Sequence, residues 1–334
     1  MSRRLVALIA SAMVLGAACQ TGPSSNSTGT GVACAPGAKT TKIDIVGGIP
    51  TDPFGAAQKN GADQAAKDFC VNYQWVEGAH NTFPEEQAAG QAALASHPDG
   101  MGIVYFDKTW QPLVVSALNQ GVDVVLYNNK WWGDPENKPT DPRILDLAYI
   151  GQDENLASRA LATQFIKSLK PNSTVLLINP FPQAYVLNLR ISGAAAVLKA
   201  NNIPYETLNL DGSGDEGKYL SIVGPYLQSH PEINAVMGLG NPGANPAANY
   251  VKAHNLNFPI ATIDTGAETA NYIQQGVITL AINQQPYLQG YYTVMALALQ
   301  TKFGLRPADI NTGTFFVTKD NINDVLTLIK EGKG

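Results

Sequence analysis

Short apolar runs alternate with helix-like segments along most of this chain, and this alternation limits the folds that it can adopt. Residues 43–48 (IDIVGG), 102–107 (GIVYFD) and 122–129 (VDVVLYNN) are apolar almost throughout. After the first run, residues 53–69 place apolar side chains at the i, i+3, i+4, i+7 spacing of one helix face. Strands that are apolar on both faces and separated by helices predict a parallel sheet covered by helices on each side.

A second series of the same kind begins near residue 174 and repeats features of the first. Its main apolar runs are residues 174–180 (TVLLINP), 235–241 (AVMGLGN), 259–265 (PIATIDT) and 278–283 (ITLAIN). In each series a Pro-Phe pair follows the first strand, and the next helix contains a glycine, Gly61 or Gly193. The repetition predicts an α/β protein with two similar Rossmann-like domains. Ligands bind beyond the carboxyl ends of such strands, so we expect one cleft between the domains.

The residues that follow the predicted strands share one chemistry, since they are amides, carboxylates and flat aromatic rings. They are Thr51, Asp52, Phe54, His80, Asn81, Asp107, Trp110, Asn128, Asn129, Trp131, Trp132, Phe181, Gln183, Tyr185, Asn241, Asp264 and Gln284. Paired donors and acceptors satisfy hydroxyl groups, and aromatic faces cover the C–H surface of a sugar ring. An anionic ligand would require several arginines or a glycine-rich phosphate loop, and only Arg190 is placed to serve. The pattern therefore favours a neutral, polyhydroxylated ligand.

The first 19 residues have the layout of an export signal. Arg3 and Arg4 precede an apolar stretch over residues 5–15, and small residues lead to Cys19. The segment LGAAC resembles a lipobox, with Leu15 one position further from the cysteine than usual. We expect residues 1–19 to be a signal peptide and Cys19 to be lipidated, with plain secretion as the alternative.

Residues 20–41, rich in Ser, Thr and Gly, are expected to form a flexible tether. Export would place the chain in an oxidising compartment. Cys34 precedes the first strand and Cys70 ends the first helix, which returns antiparallel to that strand. Both cysteines would therefore lie at one edge of the sheet, and we expect them to form a structural disulfide.

Composition excludes several classes of function. The formal net charge is −5, and no basic run is longer than Arg3-Arg4, so nucleic acid is not an expected partner. The sequence lacks a G-x-S-x-G elbow and an evident nucleophile–base pair, so we expect no enzyme. Its four histidines follow no metal-binding spacing, and we expect neither a metal nor a cofactor.

Seven segments, in this order along the chain, resemble those of a known family. They are TDPFGAAQKNGADQAAK, VDVVLYNN, YIGQDENLAS, LRISGAAAVLKANNI, AVMGLGNPGANPAANYV, PIATIDTGAE and ITLAINQQPYLQGYYTV. Over roughly residues 42–320 the chain resembles the type I periplasmic sugar-binding proteins of the ribose-binding-protein type, which feed ABC importers. A sugar-responsive transcription regulator shares the two-domain core. It would begin with a helix-turn-helix, and here an export signal and tether occupy that place.

The resemblance implies roles for particular residues. Phe54 would pack on the sugar ring, Asn128 would accept hydrogen bonds, and Arg190 would bind ring or hydroxyl oxygens. The remaining polar contacts would be Asn241, Asp264 and Gln284. To these the strand-end pattern adds Asp107, Trp110, Asn129, Trp131 and Trp132 as ligand-binding candidates.

The resemblance also implies three crossovers between the domains. They lie near Asp153, near Gln284–Gln285 and near Thr312–Thr314, with Asp153 and Gln285 as hinge residues. The N-terminal domain would then comprise residues 42–152 and 285–313. The C-terminal domain would comprise residues 153–284 and 314–334.

The chain departs from the family at two places in the site. Many pentose and hexose binders have Asp-Arg where this chain has Asn128-Asn129, and a second aromatic residue where it has Gly55. Trp131 or Trp132 is expected to restore the missing stacking surface, although both could instead plug the domain interface. The ligand would then differ from ribose and could be a polyol or another sugar.

These features together predict an exported solute-binding protein. It would capture a neutral sugar or polyol by hinge closure and deliver it to an ABC transporter permease. We expect a monomer held by its N-terminal lipid on the outer face of the cytoplasmic membrane, or a periplasmic protein. A nucleoside-binding lipoprotein and a chemosensory sugar receptor are the alternatives.

Overall fold

A computed structural model describes residues 34, 40–48, 53–80, 82–212 and 215–334. The predicted signal peptide with Cys19, most of the predicted tether, and the site candidates Thr51, Asp52 and Asn81 lie outside the described residues. Within the described ranges, no helix is both long enough and apolar enough to cross a membrane.

The strands form two six-stranded sheets, which we call the first and second sheet. In chain order the strands are β1 Lys42–Val46, β2 Asn72–Val76, β3 Gly100–Ile103, β4 Asp123–Tyr127, β5 Tyr149–Gly151, β6 Thr174–Asn179, β7 Tyr205–Asn209, β8 Ile233–Gly238, β9 Ile260–Ile263, β10 Leu280–Asn283, β11 Ile310–Asn311 and β12 Phe315–Val317. The first sheet has the order β11-β5-β4-β3-β1-β2, and the second β12-β10-β9-β8-β6-β7. Neighbouring strands are parallel, except that β12 runs antiparallel to β10. The predicted parallel sheets are therefore confirmed, and the antiparallel edge strand was not anticipated.

Helices cover both faces of each sheet. They are α1 Pro53–Asp68, α2 Phe83–Leu94, α3 Gln111–Asn119, α4 Glu154–Phe165, α5 Tyr185–Ala200, α6 Glu216–Ser229, α7 Asn241–Ala253, α8 Ala267–Gln275, α9 Pro286–Phe303 and α10 Ile322–Lys330. Helices α1 and α9 pack together beside the first sheet, and α4 and α5 pack together beside the second. Apolar clusters fill the space on either side of each sheet, as two-faced burial of the strands predicts.

The glycines of the internal repeat have equivalent positions in these two helix pairs. A Cβ atom on Gly61 in α1 would lie 1.9 Å from the carbonyl oxygen of Tyr287 in α9. A Cβ atom on Gly193 in α5 would lie 2.5 Å from the carbonyl oxygen of Asn155 in α4. Each glycine thus permits a helix-to-helix approach that any side chain would prevent. The repeated sequence feature therefore corresponds to a repeated packing feature.

The chain passes between the sheets three times. It leaves the first sheet after β5, leaves the second after β10 to form α9 beside the first sheet, and crosses again between β11 and β12. These crossings lie next to Asp153, at Gln284–Gln285 and between residues 311 and 315. They bring the carboxyl ends of both sheets to a common region.

The structure joins Cys34 to Cys70 by a disulfide, with the two Cα atoms 5.7 Å apart. Cys34 lies shortly before β1, and Cys70 follows the last turn of α1. The bond therefore attaches the segment before the first strand to the amino-terminal edge of the first sheet, which is remote from the strand ends that face the cleft.

Candidate functional site

Side chains from both sheets meet in a buried network at the crossings. Asn128, which follows β4, donates from Nδ2 to Oε1 of Gln289 at 3.1 Å. Gln289 donates from Nε2 to the carbonyl oxygen and to Oε1 of Gln284, after β10, at 3.2 and 3.3 Å. Asn128 and Gln284 were both predicted to contact the ligand, and the structure connects them through Gln289, which the sequence reasoning did not identify.

The backbone at these strand ends has an unusual conformation. Asn128, Asp264 and Gln285 have φ angles of +60°, +77° and +57°. A left-handed conformation in residues other than glycine costs free energy and is concentrated at functional sites. Three such residues at the carboxyl ends of the strands, in both halves, mark this region as the candidate site.

Arg190 on α5 is almost fully buried and forms the charged centre of the second half. Its Nε donates to Oε2 of Glu154 at 2.6 Å, and its Nη1 donates to the carbonyl oxygen of Leu239 at 2.9 Å. Nη1 also lies 3.9 Å from Oδ2 of Asp264. Burial lowers the pKa of Arg190, but the charges of Glu154 and Asp264 outweigh this effect and raise the pKa above its usual value. The guanidinium is therefore permanently charged and already compensated.

Asp264 and Asn241 face each other beside this ion pair. Oδ1 of Asp264 accepts from Nε2 of Gln284 at 2.5 Å. Asn241 adopts the amide orientation in which both its nitrogen and its oxygen have hydrogen-bond partners. It then donates to the carbonyl oxygen of Asp264 at 2.7 Å and accepts from the backbone N–H of Gly266 at 3.0 Å. The Asp264 side chain retains 22% of its exposure and Asn241 is also half-buried, whereas Arg190 and Gln284 are buried.

The adjacent tryptophans lie on the connection between β4 and β5. The indole N–H of Trp131 donates to the carbonyl oxygen of Asp134 at 2.7 Å, and that of Trp132 donates to Oδ1 of Asn129 at 2.8 Å. Lys130 Nζ lies 5.0 Å from the centre of the Trp132 ring, within cation–π distance. Both indole N–H groups are thus occupied locally, and both rings remain half-buried. Asn129 is a support for Trp132 in this structure.

Two cavities border Trp131. The larger, of about 410 Å³, lies at the outer edge of the first sheet; it is lined by Leu126, Lys130, Trp131, Ile144, Leu145, Asp146, Leu147, Ala148, Pro307, Ala308 and Asp309. The smaller, of about 10 Å³, is bounded by Tyr105, Phe106, Asn129, Lys130, Trp131, Trp132, Asp134 and Asn137 and, from the second half, by Tyr185. A space this small holds about one water molecule. A sugar could enter here only if the two halves moved apart.

Three other side chains of the first half, Trp110, Asp107 and Phe54, were predicted to contact the ligand. Trp110 is completely buried in the core, where it packs against Phe83 and Phe106, so we correct its expected role from ligand contact to core residue. The physical reason is that the large indole, at the end of the short 3₁₀ turn over Lys108–Trp110, removes apolar surface from water by packing on these two rings. Asp107 begins that turn and accepts from the backbone N–H of Thr109 at 2.8 Å. Phe54 is half-buried in the first turn of α1.

The crossing segments are tied to one another by hydrogen bonds. Thr312 donates from Oγ1 to the carbonyl oxygen of Gln284 at 2.9 Å and from its backbone N–H to the carbonyl oxygen of Gly151 at 3.1 Å. The side chain of Gln285 donates to the carbonyl oxygen of Thr312. Asp153 caps α4 by accepting from the backbone N–H of Leu156 at 2.9 Å. Residues at all three crossings therefore form one connected unit.

Sequence reasoning missed the side chains that support this site. Glu154 follows the predicted hinge residue Asp153, and Gln289 lies three residues after the Gln284-Gln285-Pro286 run. Both are buried polar residues on helices, where an unpaired polar group is costly. A polar residue on the apolar face of α9 was the available signal, but its partners lie up to 231 positions away.

Among the described residues, one group has the composition of a metal site. Ligand atoms of Glu206, His230 and Glu232 lie within 4.8 Å of one another. Tyr226 already donates to Glu206 at 2.9 Å, and its ring stacks on that of His230. The group lies near the start of β8, at the edge of the second sheet opposite the crossings. No residue spacing in the sequence indicated this cluster.

Glu86 on α2 is buried, and burial raises the pKa of its carboxyl group to about 7 from an ordinary 4.5. Because the folded-state pKa is raised, the stabilising contribution is complete below pH 4.5 and is lost as the pH rises through 7. We expect the free energy of unfolding to fall by about 2 kcal/mol between pH 5 and pH 8 from this group alone. When urea unfolding is measured across that pH range, the free energy of unfolding of Glu86→Gln should change less with pH than that of the wild type. An unchanged profile would exclude Glu86 as the source.

Comparison with known proteins identifies the family to which this architecture belongs. A family model described as a periplasmic binding protein domain matches residues 43–304. The chain belongs to the periplasmic binding protein family. This family consists of extracytoplasmic substrate-binding proteins of transport systems. The two parallel-dominated sheets with flanking helices are the type I form of its fold.

Individual relatives of this periplasmic binding protein cover most of its length. The xylose/arabinose-binding protein XylF of Sulfolobus acidocaldarius is 25% identical over 305 residues, which are 86% of this chain and 73% of that protein. A carbohydrate transporter from Acidothermus cellulolyticus, solved in complex with myo-inositol, is 26% identical. Its TM-score is 0.74, covering 88% of this chain and 99% of that one. A periplasmic ribose ABC transporter protein from Conexibacter woesei shares the fold at 19% identity, with a TM-score of 0.75 over 90% and 97% of the two chains.

Proposed function

We propose that this protein captures a neutral sugar or polyol in the cleft between its two halves and delivers it to an ABC transporter permease. The observation that carries the proposal is the charge balance at the strand ends. Arg190 is paired with Glu154 at 2.6 Å and lies 3.9 Å from Asp264, which itself accepts from the amides of Gln284 and Asn241. Hydroxyl groups need such paired donors and acceptors, whereas an anionic ligand needs uncompensated cations.

The relatives support the same ligand class. XylF is described as a xylose- and arabinose-binding protein, and the Acidothermus cellulolyticus structure contains myo-inositol. These ligands are a pair of neutral sugars and a neutral polyol. Sequence identities near 25% leave room for a different member of the class in this protein.

The ligand contacts that we propose come from both halves. In the second half they are Arg190, Asn241, Asp264 and Gln284, which form one cluster of hydrogen bonds and charges. In the first half they are Phe54, Asp107, Asn128, Asn129, Trp131 and Trp132. With their indole N–H groups occupied, the tryptophans would offer their faces, which suit the C–H surface of a sugar ring.

Capture would proceed by hinge closure. The domains that we propose are residues 42–152 with 285–313 and residues 153–284 with 314–334, moving about the crossings at Asp153 and Gln285. The space of about 10 Å³ between Trp131 and Tyr185 is too small for a sugar, so entry requires separation of the halves. A ligand stabilises the closed form only by the difference in its affinity for the two forms.

The cellular setting follows from the N-terminal sequence. We propose an exported protein whose Cys19 carries a lipid after removal of a signal peptide, so that the folded part lies outside the cytoplasmic membrane. It would act as a monomer that binds and does not catalyse. A nucleoside is the alternative ligand, because a purine ring would also stack on Trp131 or Trp132.

A thermal-shift screen tests this proposal. The panel contains pentoses, hexoses, tetritols, pentitols, inositols and nucleosides. A ligand at one hundred times its dissociation constant adds about 2.7 kcal/mol of stability, which gives a readable shift. Shifts with sugars or polyols support the proposal. Shifts with nucleosides alone would replace the ligand class, and no shift with any member would contradict the function.

Asp264→Ala should weaken binding of the ligand found in that screen by about 2–3 kcal/mol, because it leaves ligand hydroxyls and the Gln284 amide unpaired. Isothermal titration calorimetry measures this loss. Asp324→Ala, on the exposed side of α10, is the matched control and should bind as the wild type does. Equal affinities for all three proteins would remove Asp264 from the site.

A further inference from the structure

Gln289 is completely buried in α9, yet its amide serves both halves of the protein and a crossing segment. Its Oε1 accepts from Nε2 of Gln58 at 3.0 Å and from Nδ2 of Asn128 at 3.1 Å. Its Nε2 faces the carbonyl oxygen and Oε1 of Gln284, and Oγ1 of Thr312 at 3.5 Å. No other side chain of the network has partners on so many segments among the residues that the structure describes.

We propose that Gln289 is a positioning residue for the ligand site, which fixes Asn128 of the first half and Gln284 of the second in one arrangement. The inference rests on the proposed function, because Asn128 and Gln284 are its ligand contacts. Gln289 itself has no exposed surface and would not touch the ligand. It would act through the two amides that it orients.

The position of Gln289 is fixed by the packing of α9 on α1. A Cβ atom on the adjacent Gly290 would lie 1.8 Å from the carbonyl oxygen of Gln58, so the two helix backbones are in direct contact there. The side chain of Gln58, which is also on α1, donates to Oε1 of Gln289. The Gln289 amide is therefore held by α1 on one side, and its hydrogen bonds on the other side go to residues at the crossings. A rigid support of this kind orients site residues better than a loop does.

The number of partners suggests how the network responds to a ligand. Nε2 of Gln289 carries two hydrogens and faces three acceptors, at 3.2, 3.3 and 3.5 Å. One acceptor is therefore always served less well. If Gln284 turns its Oε1 toward a ligand hydroxyl, the released N–H can move to Thr312. Gln284 could thus change partners without leaving a buried donor unpaired.

Two substitutions and a matched control test the inference in the full chain, with the sugar or polyol identified by the thermal-shift screen as the probe. Gln289→Met keeps the volume and removes every hydrogen bond. We expect its dissociation constant to rise about tenfold to one hundredfold, since two ligand contacts lose their orientation. Gln300→Met makes the same change three turns later on α9, where Gln300 donates to Asp123 at 2.7 Å. It should leave the dissociation constant unchanged.

Gln289→Glu separates positioning from a merely structural role. A buried carboxyl group has a raised pKa, and its protonated form both donates and accepts as the amide does. We expect near wild-type affinity at low pH and a progressive loss as the pH rises through that pKa, relative to the wild type at each pH. The affinities are compared well below the unfolding midpoint of the variant at each pH, which separates this profile from a general loss of stability.

The outcomes distinguish the two proposals. If the wild type binds and Gln289→Met binds equally well, the positioning role is wrong while the proposed function stands. If Gln289→Met fails to fold, the pH profile of Gln289→Glu decides, and a flat profile overturns the inference. If the wild type binds no member of the panel, the proposed function fails and the inference fails with it.

Discussion

Arg190→Met is expected to lower the free energy of unfolding by about 3–5 kcal/mol. The variant leaves Glu154, which is 1% exposed, with the amide of Gln152 at 2.8 Å and without its cation. It also removes the donor to the carbonyl oxygen of Leu239. A buried carboxylate without a positive partner costs far more than the net value of the pair itself. Chemical denaturation measures the loss.

A double variant tests whether the uncompensated charge is the cause. Replacing both partners of a buried ion pair with apolar residues is often neutral or stabilising, so Arg190→Met with Glu154→Leu should recover most of the lost stability. Arg159→Met, an exposed arginine on α4, is the control and should change stability by less than about 0.5 kcal/mol. A double variant as unstable as Arg190→Met would show that the cost comes from lost packing instead.

The second large effect is expected from the disulfide. Cys34→Ser with Cys70→Ser should lower the free energy of unfolding by about 3–4 kcal/mol, because the bond closes a loop with a sequence separation of 36 residues. Thermal or urea unfolding of the double variant measures the change. Ligand affinity should remain that of the wild type, because Cys70 lies at the end of the sheet opposite the crossings.

The disulfide should therefore affect stability and leave ligand affinity unchanged, and treatment with a reductant provides the control. Wild-type protein treated with a reductant should lose the same stability, whereas reductant should not affect the double variant. A variant that is as stable as the wild type would mean that the bond contributes little to the folded state. The double variant could also bind the ligand more weakly than the wild type at a temperature well below its own unfolding midpoint. That result would contradict our placement of the cleft.

The fold could be predicted in detail because its signals are local. The apolar spacing over residues 53–69 predicted a helix there, and the structure has α1 at Pro53–Asp68. Strands that are buried on both faces are apolar throughout, and such runs can be recognised without knowing which strands are adjacent in the sheet. They therefore predicted the parallel strands. The antiparallel strand β12 was missed because its apolar run of three residues is shorter than the runs that indicate a strand.

The candidate site was predictable only in outline. The rule that ligands lie beyond the strand ends grouped Asn128, Asp264 and Gln284, and the resemblance added Arg190; the structure brings these side chains close together. It did not predict that Trp110 would lie in the core, because that burial depends on packing against Phe83 of α2. It also could not find Gln289, whose partners are distant in sequence and depend on how α9 packs on α1.

The claim that a neutral sugar closes the two halves over itself is tested most directly by small-angle X-ray scattering. The radius of gyration would be measured without ligand and with a saturating amount of the sugar or polyol found by the screen. We expect a smaller radius of gyration with ligand, since the halves must separate to admit it. A ligand that binds tightly and leaves the scattering curve unchanged would contradict capture by hinge closure.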